Sequence, residues 1–66
     1  MIWFFDREGA RIRYEIKHRP DGDGYELVLT HPDGRIQLEH IAEPNRLLER
    51  CAELGATLKD DGWHAG

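Results

Sequence analysis

The chain has little with which to reinforce itself. Cys51 is its single cysteine, which excludes an internal disulfide, and its four histidines (His18, His31, His40 and His64) stand nine or more residues apart rather than in the close pairs of a zinc site. No apolar run approaches the roughly 18 residues that a bilayer span requires. The opening MIWFFDREG has four apolar residues after Met1 and no basic segment before them, so no signal peptide is expected. One cysteine and no targeting segment fit a reducing, cytoplasmic setting. Nothing in the pattern supplies an activated nucleophile or an oxyanion hole. The chain is therefore expected to be non-enzymatic, with no cofactor and no metal site.

What is present is charge and alternation. Sixty-six residues make one small domain, residues 1–66, with 13 acidic against 9 basic side chains and a net charge of −4. A chain of this length buries only about 60% of the surface its unfolded form exposes, so self-association or unusually good packing must supplement its core. The acidic balance disfavours broad binding to nucleic acid or anionic membranes, since phosphate affinity rests on basic surface. At 39% hydrophobic, in patterned segments, the chain is globular.

Two alternating runs joined by a turn, YELVLTHPDGRIQLEHI from Tyr25 to Ile41, form the centre of the pattern and predict a β-hairpin. Ahead of it, Ala10 to Arg19 alternates cleanly: Ile12, Tyr14, Ile16 and His18 point one way, and Arg11, Arg13, Glu15, Lys17 and Arg19 the other. Ile2-Trp3-Phe4-Phe5 is apolar on both sides, so either both faces of that strand are covered or Trp3 and Phe5 are presented to a partner. Pro20-Asp21-Gly22-Asp23-Gly24 ends the second strand, proline lacking the donor that a ladder needs.

The hydrophobic pattern places Leu27, Leu29, Ile36 and Leu38 on one buried face. A three-residue loop Pro32–Gly34 would pair His31 with Arg35 and Leu29 with Gln37, mixing the faces, because a one-residue slip inverts every side chain. The expected loop is therefore the four-residue His31–Gly34. It pairs Leu29 with Ile36, Leu27 with Leu38 and Tyr25 with His40; a two-residue Asp33–Gly34 loop also keeps the faces in phase.

From Glu43 the period changes. Leu47, Cys51, Leu54 and Leu58 recur at helical spacing, and Pro44 suits a first helical turn. Two stops compete. Gly55 would leave ATLKD as a fifth strand, whereas Gly62 would carry the left-handed residue of a Schellman motif, with Trp63 packed on Leu58. The unbroken stripe favours Gly62. The expected fold class is α+β, a four-stranded antiparallel meander (strands near 2–6, 10–19, 25–31 and 35–41) followed by one C-terminal helix (44–61) on one face.

The candidate functional surface is the face the helix leaves open. Arg11, Arg13, Lys17 and Arg19 less Glu15 give its second strand a net +3, beside Trp3 and Phe5; cations interleaved with rings on a sheet suit single-stranded nucleic acid. The plainer reading is a solvated face paired with Glu26 and Glu39, and the apolar positions Trp3, Phe5, Val28 and Ile41 suggest a protein partner or homodimer. A second candidate is the row His18, Tyr25 and His40, which with Glu43 would hold a metal or move a proton near neutral pH, or else shields the open end of the core. Cys51 on the apolar stripe reads as a small hydrophobe. Asp21-Gly22-Asp23 is a calcium-loop fragment without its later ligands. Asp60 and Asp61, with Trp63 and His64, read as a capped, frayed terminus. In layout, four antiparallel strands and then a helix is similar to the single-stranded-DNA-binding transcriptional coactivator and whirly folds; the likeness lies in element order alone and transfers no residue.

Overall fold

The computed structural model describes all residues, Met1–Gly66. Its elements are β1 (Ile2–Arg7), β2 (Ala10–His18), β3 (Tyr25–Thr30), β4 (Ile36–Ile41), α1 (Pro44–Asp60) and β5 (His64–Ala65). The strands form one antiparallel sheet in the order β4-β3-β2-β1-β5, and the α+β meander followed by a helix is the architecture expected from the sequence.

The core lies between this sheet and α1. Ile12, Tyr14, Leu27, Leu29, Ile41, Leu47, Leu58 and Trp63 are buried together, with Ile16, Cys51 and Leu54 packed against them. Pairing of Tyr14 with Leu29 and of Ile16 with Leu27 puts the alternate residues of β2 and β3 on the same side, and the 3.6-residue stripe of α1 closes over them.

Helix α1 runs through Gly55 to Asp60, so residues 56–60 are helical rather than a strand. Pro44 occupies the first turn. At the far end Gly62 has φ +88°. The Trp63 amide donates to the Leu58 carbonyl (2.9 Å) and the Gly62 amide to that of Lys59 (3.0 Å), the paired bonds of a Schellman motif. Trp63 and Leu58 are both buried, which is the apolar contact that motif brings with it.

The terminus beyond the cap is not frayed. His64 and Ala65 pair with Asp6 and Phe5 as β5, and the Gly66 amide donates to the Phe4 carbonyl at 2.8 Å. The Arg7 guanidinium lies 4.6 Å over the Trp63 ring, and its Nη1 donates to the Asp61 carbonyl (2.7 Å) and to Asp61 Oδ2 (3.0 Å). Arg7 thus fixes the segment that turns back to the β1 edge.

The β3–β4 register departs from expectation. Leu29 pairs with Gln37, Leu27 with Glu39 and Tyr25 with Ile41. The His31 amide donates to the Arg35 carbonyl (2.8 Å), and the Gly34 amide to that of His31 (2.9 Å). The loop is therefore the three residues Pro32-Asp33-Gly34, neither four nor two. Turn chemistry prevails over the hydrophobic pattern: Pro32 and Asp33 suit a type I turn, Asp33 Oδ1 accepts from the Arg35 amide (2.9 Å), and Gly34 takes the left-handed position at φ +89°. The consequence is an inverted β4. Gln37, Glu39 and Ile41 face the helix, and Ile36, Leu38 and His40 face away.

Candidate interaction surface

The sheet face opposite α1 is open. Across it the register sets four cross-strand rows: Asp6 beside Arg11; Phe4, Arg13, Thr30 and Ile36; Ile2, Glu15, Val28 and Leu38; and Lys17, Glu26 and His40. Its apolar members stay accessible, with Ile36 65%, Leu38 61% and Ile2 46% exposed. Single exposed hydrophobes are ordinary on a protein surface; here they lie in two groups, Ile2 with Phe4 and Val28 with Ile36 and Leu38, on either side of the charged β2.

Most of the charges between them are already paired. Arg11 grips Asp6 through Nε–Oδ1 at 2.6 Å and Nη2–Oδ2 at 3.0 Å, and this guanidinium holds the Asp6 carboxyl below its ordinary range. The Arg11 guanidinium also lies 4.9 Å over the Phe4 ring. Glu15 Oε1 is 3.2 Å from Arg13 Nη1 and 4.0 Å from Lys17 Nζ. Arg19 leaves the strand end to donate through Nη1 to His40 Nε2 (3.0 Å) and through Nη2 to Asp21 (3.2 Å). Glu26 has no ion-pair partner, and Lys17 has only its long contact to Glu15.

The residues singled out in the sequence divide between the two sides of the sheet. Arg11, Arg13, Lys17 and Val28 do lie on the open face, and Arg19 stands at its end. Trp3, Phe5 and Ile41 do not: they pair with Tyr14, Ile12 and Tyr25 on the helix side, and Ile41 is buried. The expected outer cluster of Trp3, Phe5, Val28 and Ile41 therefore does not form, and Ile2, Phe4, Ile36 and Leu38 take its place. The signal that could have found them is the turn. Pro-Asp-Gly as a three-residue hairpin fixes β4, and the two-residue Glu8–Gly9 turn, with φ of 48° and 82°, fixes β1 against β2.

The His18, Tyr25 and His40 row is also broken. His18 meets Tyr25 edge-on with centroids 4.8 Å apart, but His40 stands opposite Glu26 on the other face. The two histidines therefore lie on opposite faces of the sheet, and the expected row does not form. No group of three or more His, Cys, Asp or Glu lies close enough to hold a metal ion.

On the helix side Glu39 is clamped by Arg50, whose Nε and Nη2 approach it at 2.8–3.1 Å, and Arg50 Nη1 also reaches Glu53. This clamp is what the inverted β4 requires, because a carboxylate that faces a helix needs a charged partner. The helix leaves one end of β1 uncovered, where Trp3, Phe5, Tyr14 and Cys51 line a cleft of about 150 Å³. Tyr14 is buried there with no hydrogen-bond partner for its hydroxyl, and burial drives the phenol pKa upward. A larger open groove between β4 and α1 is lined by Glu39, His40, Glu43, Arg46 and Arg50; within it Arg50 pairs with Glu39, and Arg46 turns to Glu49 and Glu53 on the helix. No helix is long and apolar enough to cross a membrane. Comparison of the chain with protein families, with curated proteins and with solved structures gives no match.

Proposed function

We propose that this chain is a non-enzymatic interaction domain that associates with itself through the open sheet face, in a cytoplasmic setting that suits the free thiol of Cys51. One observation carries the reading. β4 turns Ile36 and Leu38 outward beside Val28, with Ile2 and Phe4 outward on β1 across the charged β2, while the helix covers only the other face. Antiparallel sheets tolerate one solvated face when that face is polar, and this one is apolar along its outer strands.

Single-stranded nucleic acid, the second reading, finds less here than the sequence suggested. Arg11, Arg13 and Lys17 have carboxylate neighbours, Trp3 and Phe5 lie on the other side, and a guanidinium covers the Phe4 ring. Salt-dependent binding to an oligonucleotide that Arg11→Glu with Arg13→Glu abolishes is the result that would restore it.

The experiment compares two exposed leucines. Leu38 on the open face and Leu48 on the helix are 61% and 69% exposed. Leu38→Lys should leave a monomer at concentrations where the wild type is a dimer, and Leu48→Lys should not. Equal behaviour of the two variants would remove the open face as the contact surface.

A further inference from the structure

We propose that the partner of the open face is a second copy of this chain, packed sheet on sheet about a two-fold axis that runs parallel to the strands between β2 and β3. The inference rests on the self-association reading above and adds its geometry.

Charge and strand overlap together select the axis. A two-fold axis in the plane of the face and parallel to the strands lays each strand over its mirror position in the order β4-β3-β2-β1, keeping residues at their own level. Placed between β2 and β3, it sets β2 over the partner's β3. Lys17 then faces the copy of Glu26, the carboxylate without an ion pair, and the same contact recurs by symmetry. The outer strands bring Phe4 toward the copy of Ile36 and Ile2 toward that of Leu38. Axes between β1 and β2 or between β3 and β4 set no like charges together but leave two of the four strands without a partner strand. The axes along β2, along β3 and across the strands at Glu15 or Arg13 do set like charges together. Along β2, Lys17 stacks on its own copy, and along β3 Glu26 does the same. Across the strands, Glu15 stacks on Glu15, with Arg13 over Lys17, or else Arg13 on Arg13. Like charges in contact at an interface cost enough to reject an arrangement.

The molecule measures 38 × 22 × 16 Å. Nine-residue β2 runs about 30 Å, the six-residue β1, β3 and β4 about 20 Å, and four strands span roughly 15–20 Å. The open face therefore offers on the order of 400 Å² per copy, the size of a small interface. Aligned sheets pack about 10 Å apart with strands crossing near 30°.

The test mixes two charge-reversed proteins. Lys17→Glu and Glu26→Lys each place like charges across the interface, and also between neighbours within one chain. Mixing leaves the within-chain term unchanged but makes both cross-interface pairs complementary. Sedimentation equilibrium should show each variant alone with a dissociation constant raised about tenfold or more, and the equimolar mixture returning to within about threefold of wild type. Thermal melts of each variant establish that it folds, and Lys17→Gln with Glu26→Gln repeats the comparison if one does not. Single variants that dimerise as wild type does, or a mixture no tighter than its components, would overturn this axis while self-association stood. A wild type that stays monomeric would overturn both.

Discussion

Gly55 lies in the middle of α1, where the sequence allowed the helix to stop. Replacing it with alanine asks whether the helix is continuous and how much that position costs. Its φ is not positive, and a Cβ built there meets nothing within 4 Å, so the substitution brings neither strain nor a clash. The whole propensity difference should therefore appear, about 0.8–1 kcal/mol in favour of alanine, part of it from the reduced freedom of the unfolded chain. For a domain of this size that raises the melting temperature by about 4–8 °C. Urea unfolding followed by far-ultraviolet circular dichroism should move the midpoint upward with an unchanged slope. Wild type and variant must be compared at equal concentration, because a dimer couples stability to mass action. A variant no more stable than wild type, or one with lost helical signal, would refute the account of α1.

Two further outcomes follow from particular contacts. Tyr14→Phe removes a buried hydroxyl that has no partner, so stability should be unchanged or rise, where loss of a bonded hydroxyl would cost about 0.5–1.5 kcal/mol; a loss of that size in urea unfolding would show that the Cys51 thiol beside it is a partner. Acid should destabilise the fold. Arg11 holds Asp6 below the ordinary carboxylate range, the amides of Asp23 and Arg35 do the same for Asp21 and Asp33, and Arg46 for Glu53. Depressed carboxyls contribute stability that is complete above their unfolded values near pH 4 and lost as pH falls through the folded ones. The urea midpoint should hold between pH 7 and pH 5 and drop below about pH 4; a midpoint that rose on acidification would contradict these pairings.

The four long strands and the helix were legible in the sequence; the face assignments at the sheet's two flanks were not. The alternation of Ala10 to Arg19 identified β2 and its buried side, because strong period-two contrast leaves one solution. The stripe from Leu47 to Leu58, with Gly62 and Trp63 beyond it, identified the helix and its Schellman end. β4 misled because two rules conflict there. Ile36 and Leu38 looked like core, but Pro32-Asp33-Gly34 makes a three-residue turn, and the Arg50 clamp on Glu39 makes the resulting register tolerable. In β1, Ile2-Trp3-Phe4-Phe5 has no alternation to read, and only its pairing to β2 shows which residues face the helix. β5 is too short to carry a pattern; it exists because Arg7 and the helix cap return the chain to the β1 edge.

The site followed the same division. The basic positions of β2 were found correctly on the open face, but their neutralisation by Asp6 and Glu15 depends on rotamers and on cross-strand pairing that spacing alone does not give. Of the apolar positions expected there, Val28 lies on the open face while Trp3, Phe5 and Ile41 lie on the other; a one-residue change of register exchanges the faces of β4, and β1 has no alternation to show its own.

The most direct test of the central claim, that the open sheet face is covered by a second copy of the chain, is the mass of the wild-type protein by sedimentation equilibrium across micromolar concentrations at neutral pH and moderate salt. The account predicts twice the mass of the 7.7 kDa chain, falling toward that of the monomer on dilution. A single species at the monomer mass throughout would contradict it.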